Sequence, residues 1–217
     1  MKRLIAAAII LLPQIASAAE MTFDIGKTKS GDEFLVADGS ISDLTPYLLN
    51  AMVASGRWKG GLLVLNSKGG SVVSALAMGR IIREQGMATM VKPGDICMSA
   101  CAYLFLGGDE RFAPKGAALG MHRFRFGNDD ADKKTLTNEA QSLSGALIEY
   151  FVEMGISPEA LAVAMRAAPE DMYVFSQEEM QSYRITYEHD QSTAAKSCIP
   201  ASFQDPLGLY KNEPRCK

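Results

Sequence analysis

The sequence is sparing with the residues that most often carry site chemistry: it has two histidines and four cysteines in 217 residues. Charge of one sign is never concentrated. Lys and Arg number 22 against 25 Asp and Glu, a formal net charge of −3, and no block of about five like charges occurs. Phosphate backbones are bound by clustered Lys and Arg, so nucleic acid is not an expected partner. Beyond the N-terminal region no stretch approaches the roughly 18 apolar residues of a membrane span. Internal repeats and linker-like segments are absent too, which leaves one domain as the expected organisation. A composition that is 47% hydrophobic and 22% charged is that of a folded globular chain, long enough to bury a sizeable core without metal or disulfide staples.

The N-terminus reads as a secretory signal peptide, taken as residues 1–19. Lys2 and Arg3 supply a positive start, Leu4 to Leu12 an apolar run, and Ala16-Ser17-Ala18 a small-residue cleavage pattern after Pro13. Removing Lys2 and Arg3 leaves 20 basic residues against 25 acidic ones. Export to the periplasm or beyond is therefore expected. In an oxidising compartment four cysteines favour disulfides. Local pairing is the preferred arrangement, Cys97 with Cys101 and Cys198 with Cys216. The second bridge would close a tail, residues 191–217, worth about 3 kcal/mol in the chain-entropy model.

Along residues 20–190 strands and helices alternate, which indicates an α/β fold with a mainly parallel sheet. Glu33 to Ala37 is a strand candidate, and Ser42 or Asp43 could cap a helix over Leu44 to Ser55. Leu62-Leu63-Val64-Leu65 is a continuous apolar run of the buried-strand kind. A helix from Ser71 to about Gln85 and a strand at Ala88 to Val91 follow. Ile96-Cys97-Met98 turns into a helix over Ser99 to Leu106, and Arg111 to Ala113 and Ala117 to Met121 are short strands. A long helix runs to Met154, a further one opens at Ser157-Pro158, and Met172 to Phe175 alternates as a strand before capping-box spacing at Ser176-Gln177-Glu178-Glu179.

Three features could carry chemistry. Asn66-Ser67-Lys68-Gly69-Gly70 joins a buried strand to a helix, and its glycines can present bare N–H groups beside a helix start. Ser99, within Cys97-Met98-Ser99-Ala100-Cys101, stands where a new helix begins. His122 ends the apolar run Leu119-Gly120-Met121. Taken singly, each has an ordinary structural explanation: a βα turn, an N-cap serine and a hydrogen-bonding histidine. His189, in Tyr187-Glu188-His189-Asp190, reads as a surface residue, and the 12 methionines as packing rather than copper ligands.

In this order the three features resemble the ClpP/crotonase superfamily, in the form of an exported Clp-protease-like serine peptidase, over roughly residues 33 to 187. The matching segments are Asn66-Ser67-Lys68-Gly69-Gly70, with Lys68 where the family has proline, then Met98-Ser99-Ala100 up to Gly107, then Arg111-Phe112-Ala113-Pro114 up to His122. The resemblance implies repeated ββα units in a single domain. It implies Ser99 as nucleophile, His122 as general base, and the N–H groups of Gly70 and Ala100 as oxyanion hole. The family's acid precedes a strand and a helix whose start matches Phe175-Ser176-Gln177-Glu178-Glu179. Counting back without a gap lands on Met172, so Asp171 as third member needs a one-residue shift, with Glu170 its neighbour. The implied partners are a peptide or protein substrate and further copies of the chain, in a homo-oligomer. The long helix near Thr135 to Met154, with Leu143, Leu147, Phe151 and Met154 at helical spacing, would be the contact element unless that stripe is a core face. No cofactor or metal is expected.

Other readings remain open from sequence alone. They are a noncatalytic ClpP-like binding or assembly protein, an acyl-CoA enzyme of the crotonase type, and a Ser–Lys dyad using Lys68 or Lys115. A cysteine nucleophile at Cys97 or Cys101 is a fourth, and zinc held by Cys97, Cys101 and His122 a fifth.

Overall fold

Eight strands form among the described residues, 19–58, 61–125 and 132–187, of a computed structural model: β1 (Thr22–Lys27), β2 (Glu33–Asp38), β3 (Leu62–Asn66), β4 (Ala88–Met90), β5 (Ile96–Met98), β6 (Arg111–Phe112), β7 (Ala118–Met121) and β8 (Tyr173–Val174). Six helices accompany them: α1 (Thr45–Ala54), α2 (Val72–Glu84), α3 (Ala100–Leu106), α4 (Lys133–Glu153), α5 (Pro158–Ala164) and α6 (Gln177–Ser182). The larger sheet has the order β1-β2-β3-β4-β6, parallel throughout except for β1 against β2. The smaller has the order β5-β7-β8, with β5 parallel and β8 antiparallel to β7. The mixed α/β class with mostly parallel pairing is the one the alternating pattern indicates.

Leu62 to Leu65 sit at the centre of the larger sheet and are fully buried, as a continuous apolar strand requires. Side chains alternate across a strand. Leu63 and Leu65 therefore enter the main core with Leu35, Leu49 and Ile82, while Leu62 and Val64 join a smaller cluster with Phe34, Met90 and Phe112. Helix α3 is buried along its whole length.

The chain visits both sheets before each of two helices. β4 lies in the larger sheet and β5 in the smaller, then α3 follows; β6, β7 and α4 repeat that order. Beyond β3, Ser67 bridges Cys97 of β5, and beyond β2, Ile41 bridges Gly70. The second, shorter layer lines up the loops that follow β2 and β3 with β5 and β7.

Helix starts follow capping chemistry. Ser71 accepts the Ser74 N–H at the start of α2 and Asp132 accepts those of Lys134 and Thr135 at α4. Ser176 and Glu179 form the expected reciprocal capping box on α6. Helix α1 differs from the sequence reading: it begins after Leu44 with no side-chain cap, and Asp43 instead accepts a hydrogen bond from Ser74 Oγ at 3.2 Å, tying α1 to α2. Ile96-Cys97-Met98, the expected entry to α3, is a strand fixed by its pairing with Ala118–Gly120.

The apolar stripe of α4 is a core face. Leu147, Phe151 and Met154 are buried and Leu143 packs partly buried against them, so the apolar side chains α4 turns outward are Ile148 and Val152. No described helix is long and apolar enough to cross a membrane. The proposed signal segment Lys2 to Ala18, His189, Cys198 and Cys216 lie outside the described residues.

Candidate active site

The Gly-rich turn after β3 is held from both sides. Asn66 reaches back through Nδ2 to Asp38 Oδ2 at 2.7 Å, and its Oδ1 accepts the Ile96 N–H at 3.3 Å, so one side chain ties β2, β3 and β5. Ser67 Oγ accepts the Gly69 N–H at 3.0 Å. The Ile41 N–H donates to Gly69 O and the Ser71 N–H to Ile41 O. That parallel bridge turns the N–H of the intervening Gly70 away from Ile41. Lys68 points to solvent.

Two glycines are required here. Gly69 has φ +104°, and a Cβ on it would stand 2.7 Å from Met98 O, 2.8 Å from Ser99 Cβ and 2.9 Å from Ala100 N. Gly70 has φ +144°, and a Cβ there would overlap the Ile41 backbone. Both φ values lie where L side chains are strained. The consequence is close approach: the loop backbone lies directly against Ser99 and the first peptide of α3.

Ser99 has φ 57° and ψ −125°. Among the described non-glycine residues only Arg184 shares a positive φ. Its backbone is clamped, with its N–H on Gly120 O at 2.9 Å and its carbonyl accepting the Ala102 N–H at 3.0 Å. An N-cap serine ordinarily turns its hydroxyl onto the first helical turn. Ser99 makes no such bond; its Oγ lies 2.8 Å from His122 Nε2 instead. The Ala100 N–H, at the first helical position, and the Gly70 N–H have no acceptor among the described residues. A partly buried serine held at positive φ on a strand-to-helix turn, with a backbone N–H lacking an acceptor next in the chain, is an arrangement that can present a hydroxyl for chemistry.

His122 reaches Ser99 through pairing of β5 with β7. Cys97 lies opposite Leu119 and Met98 opposite Gly120, so the next residues on the two strands bring Ser99 beside Met121 and His122. The imidazole is partly buried. Its other nitrogen, Nδ1, is buried with no hydrogen-bond partner among the described residues. For Ser99 Oγ–H to donate to Nε2, Nδ1 must carry the ring proton, and a buried N–H without an acceptor costs about 1–3 kcal/mol.

The structure thus brings Ser99 and His122 together, with Ala100 next to Ser99 and Gly70 next to the Gly69 that packs on it, and no carboxylate bonded to the imidazole among the described residues. Asp171 and Glu170 are exposed. The Asp171 N–H closes a turn onto Ala168 O. The side chain of Met172 lies with that of Met98 over Gly120. The gap-free count along the sequence lands on this residue.

Cys97 and Cys101 form a disulfide, Cα to Cα 5.1 Å, and both are fully buried. Neither is therefore a thiolate nucleophile or a zinc ligand. Lys68 and Lys115 are exposed, and Ser99 Oγ pairs with His122 rather than with an ammonium. The bridge spans the two flanks of Ser99, from β5 to α3. Replacing both cysteines by alanine should lower stability by about 2 kcal/mol and reduce any turnover at Ser99, since the strained turn loses its brace. Denaturant melts and initial rates check this; unchanged rates would show that the turn holds its shape without the bridge.

No protein-family model matches this chain, and a search of curated proteins finds no match.

Proposed function

We propose that the protein is an exported serine hydrolase, a peptidase of ClpP-like ancestry, in which Ser99 and His122 act as nucleophile and base. The observation that carries this reading is the 2.8 Å contact of Ser99 Oγ with His122 Nε2 on a backbone held at positive φ. Oγ attacks the carbonyl carbon of an ester or amide while Nε2 takes its proton. The negative charge on the carbonyl oxygen meets the Gly70 and Ala100 N–H groups, each such donor being worth about 2.7–4 kcal/mol where it has been measured. The imidazolium then protonates the leaving group. Water, deprotonated by the same nitrogen, releases the acyl group.

The α/β alternation, the chain's repeated passage through two sheets before a helix, and the matching motifs support ClpP-like ancestry. The buried Cys97–Cys101 bridge supports an oxidising compartment. Peptide substrates and homo-oligomeric assembly come from the resemblance alone. A second reading, a noncatalytic binding protein on the same fold, is favoured by one observation: the unpartnered Nδ1 of His122.

The two separate in a burst assay. With an activated aryl ester the hydrolase releases about one equivalent of phenolate per chain and carries the acyl mass on the peptide containing Ser99. A folded chain with neither burst nor adduct is the binding protein.

A further inference from the structure

Strand β7 is the middle strand of the smaller sheet, with β5 on one side and β8 on the other. Ser99 follows β5, and His122 turns Nε2 toward it; β8 flanks the other side of β7. Gly120 pairs with Val174 and Met121 with Tyr173. One further step of that register sets His122 opposite Met172, the residue just before β8. The Phe175 N–H donates to Leu119 O at 3.0 Å, so in this antiparallel ladder His122 and Met172 fall at a non-hydrogen-bonded position, where facing side chains stand closest, with Cβ atoms about 5 Å apart. Met172 Cγ and Sδ would lie 2.8 and 3.1 Å from a Cβ on Gly120, which puts that side chain on the face of β7 that also carries His122. The ladder ends there: the Arg123 N–H goes to Ala167 O, and Asp171 turns back to Ala168.

We infer that Met172 is a positioning residue that holds His122 from the β8 side, occupying by register the place where a carboxylate would complete a triad, so that the site works as a Ser–His dyad. This rests on the hydrolase reading for its catalytic meaning and on the sheet register for its geometry. A thioether packs the ring and accepts hydrogen bonds only weakly, which accounts for the buried, unpartnered Nδ1. The charged groups on the surrounding segments are Lys68 on the loop after β3, Arg123 and Arg125 after β7, and Arg166, Glu170 and Asp171 before β8. All are exposed. Met172 is itself 36% exposed; what sets it apart from these groups is the register. No carboxylate among the described residues hydrogen-bonds His122, and no metal-type cluster of His, Cys, Asp or Glu is present among them.

The test is Met172→Asp, with Met172→Asn and Asp171→Asn beside it, in the exported, disulfide-bonded chain. A carboxylate opposite His122 fixes the Nδ1–H tautomer and favours the imidazolium. Ester turnover should rise about tenfold or more, given that loss of such an aspartate costs about 10⁴ in a well-studied protease. The acid limb of the pH–rate profile should move up by about one unit, because a nearby negative charge keeps the base protonated to higher pH. The neutral Met172→Asn should raise turnover less and leave the limb in place, and Asp171→Asn should change neither. NMR titration of His122 in a Ser99→Ala background reads the same placement without catalysis. A His122 titration that moves with Met172→Asp in a chain that never reacts sustains the placement and overturns the hydrolase reading. A titration that does not move, or activity lost in Asp171→Asn, overturns the placement.

Discussion

Replacing Ser99 by glycine should abolish hydrolysis while leaving a fold more stable than that of Ser99→Ala. Both variants lose the hydroxyl and its contact with His122 Nε2, so both should fall by about 10⁴-fold or more in turnover. They differ only in backbone preference. At φ 57° and ψ −125° an alanine keeps the strain of a side chain in a region L-residues avoid, roughly 1–3 kcal/mol. Glycine relieves it and gives back about 0.5–1 kcal/mol in unfolded-chain entropy. The net advantage of glycine is about 1 kcal/mol, a rise in Tm of about 3 °C for a domain of this size. Thermal melts of the two variants check the sign. Equal stability, or a more stable alanine variant, would mean that the turn at Ser99 stores no strain.

The largest loss of stability should come from Arg111→Met. Arg111 is 3% exposed, yet it carries a charge through the close of the fold. Its Nε donates to Ile185 O at 2.8 Å, Nη1 to Gly108 O at 2.7 Å and Nη2 to Arg184 O at 3.0 Å. Its own backbone exchanges hydrogen bonds with Tyr187, and its guanidinium lies 5.5 Å from the centre of that ring. One side chain thus joins the end of α3 to the segment after α6. Burial, and secondarily the charge of Arg83, pushes the guanidinium down to about 10, so it remains charged at neutral pH. Methionine would fill much of the space and strip the side-chain donor from Ile185 O and Arg184 O, each worth about 1–3 kcal/mol, while Gly108 O keeps the Arg83 Nη2 bond at 2.8 Å. The expected cost is about 4 kcal/mol, or a fall in Tm of about 10 °C. Arg111→Lys should fall between, because a single ammonium cannot span the fork's three acceptors. A methionine variant within 2 °C of the parent, taking about 2 °C as the span of a minor surface change, would contradict this.

Much of this was legible in the sequence, for reasons that are local. The apolar run at Leu62–Leu65 needs burial on both faces, the Ser176–Glu179 spacing specifies its own cap, and the closeness of Cys97 and Cys101 in the chain made a local bridge the preferred one of three pairings. Ser99 and His122 could be chosen because their neighbours match a known pattern in order. What could not be read depends on pairing between distant segments. Ile96 to Met98 could be read as leading into a helix, but their partner in the sheet, β7, could not be named. The third site position turns on whether Asp171 or Met172 falls opposite His122. A one-residue slip in register exchanges the faces of a strand, and sequence spacing near a turn does not set that register. The direction of the α4 stripe was similarly undecided: a helical apolar face looks the same whether it meets the core or another copy.

The central claim is that Ser99 is an activated nucleophile, and covalent labelling tests it most directly. The disulfide-bonded chain is treated with a fluorophosphonate, whose phosphorus is attacked by a serine made nucleophilic by its base, and the adduct is located by mass spectrometry. The account predicts one adduct per chain, on Ser99, absent in Ser99→Ala and strongly reduced in His122→Ala, with both variants folded. A chain that stays unlabelled while correctly folded, or an adduct on another serine, would contradict it.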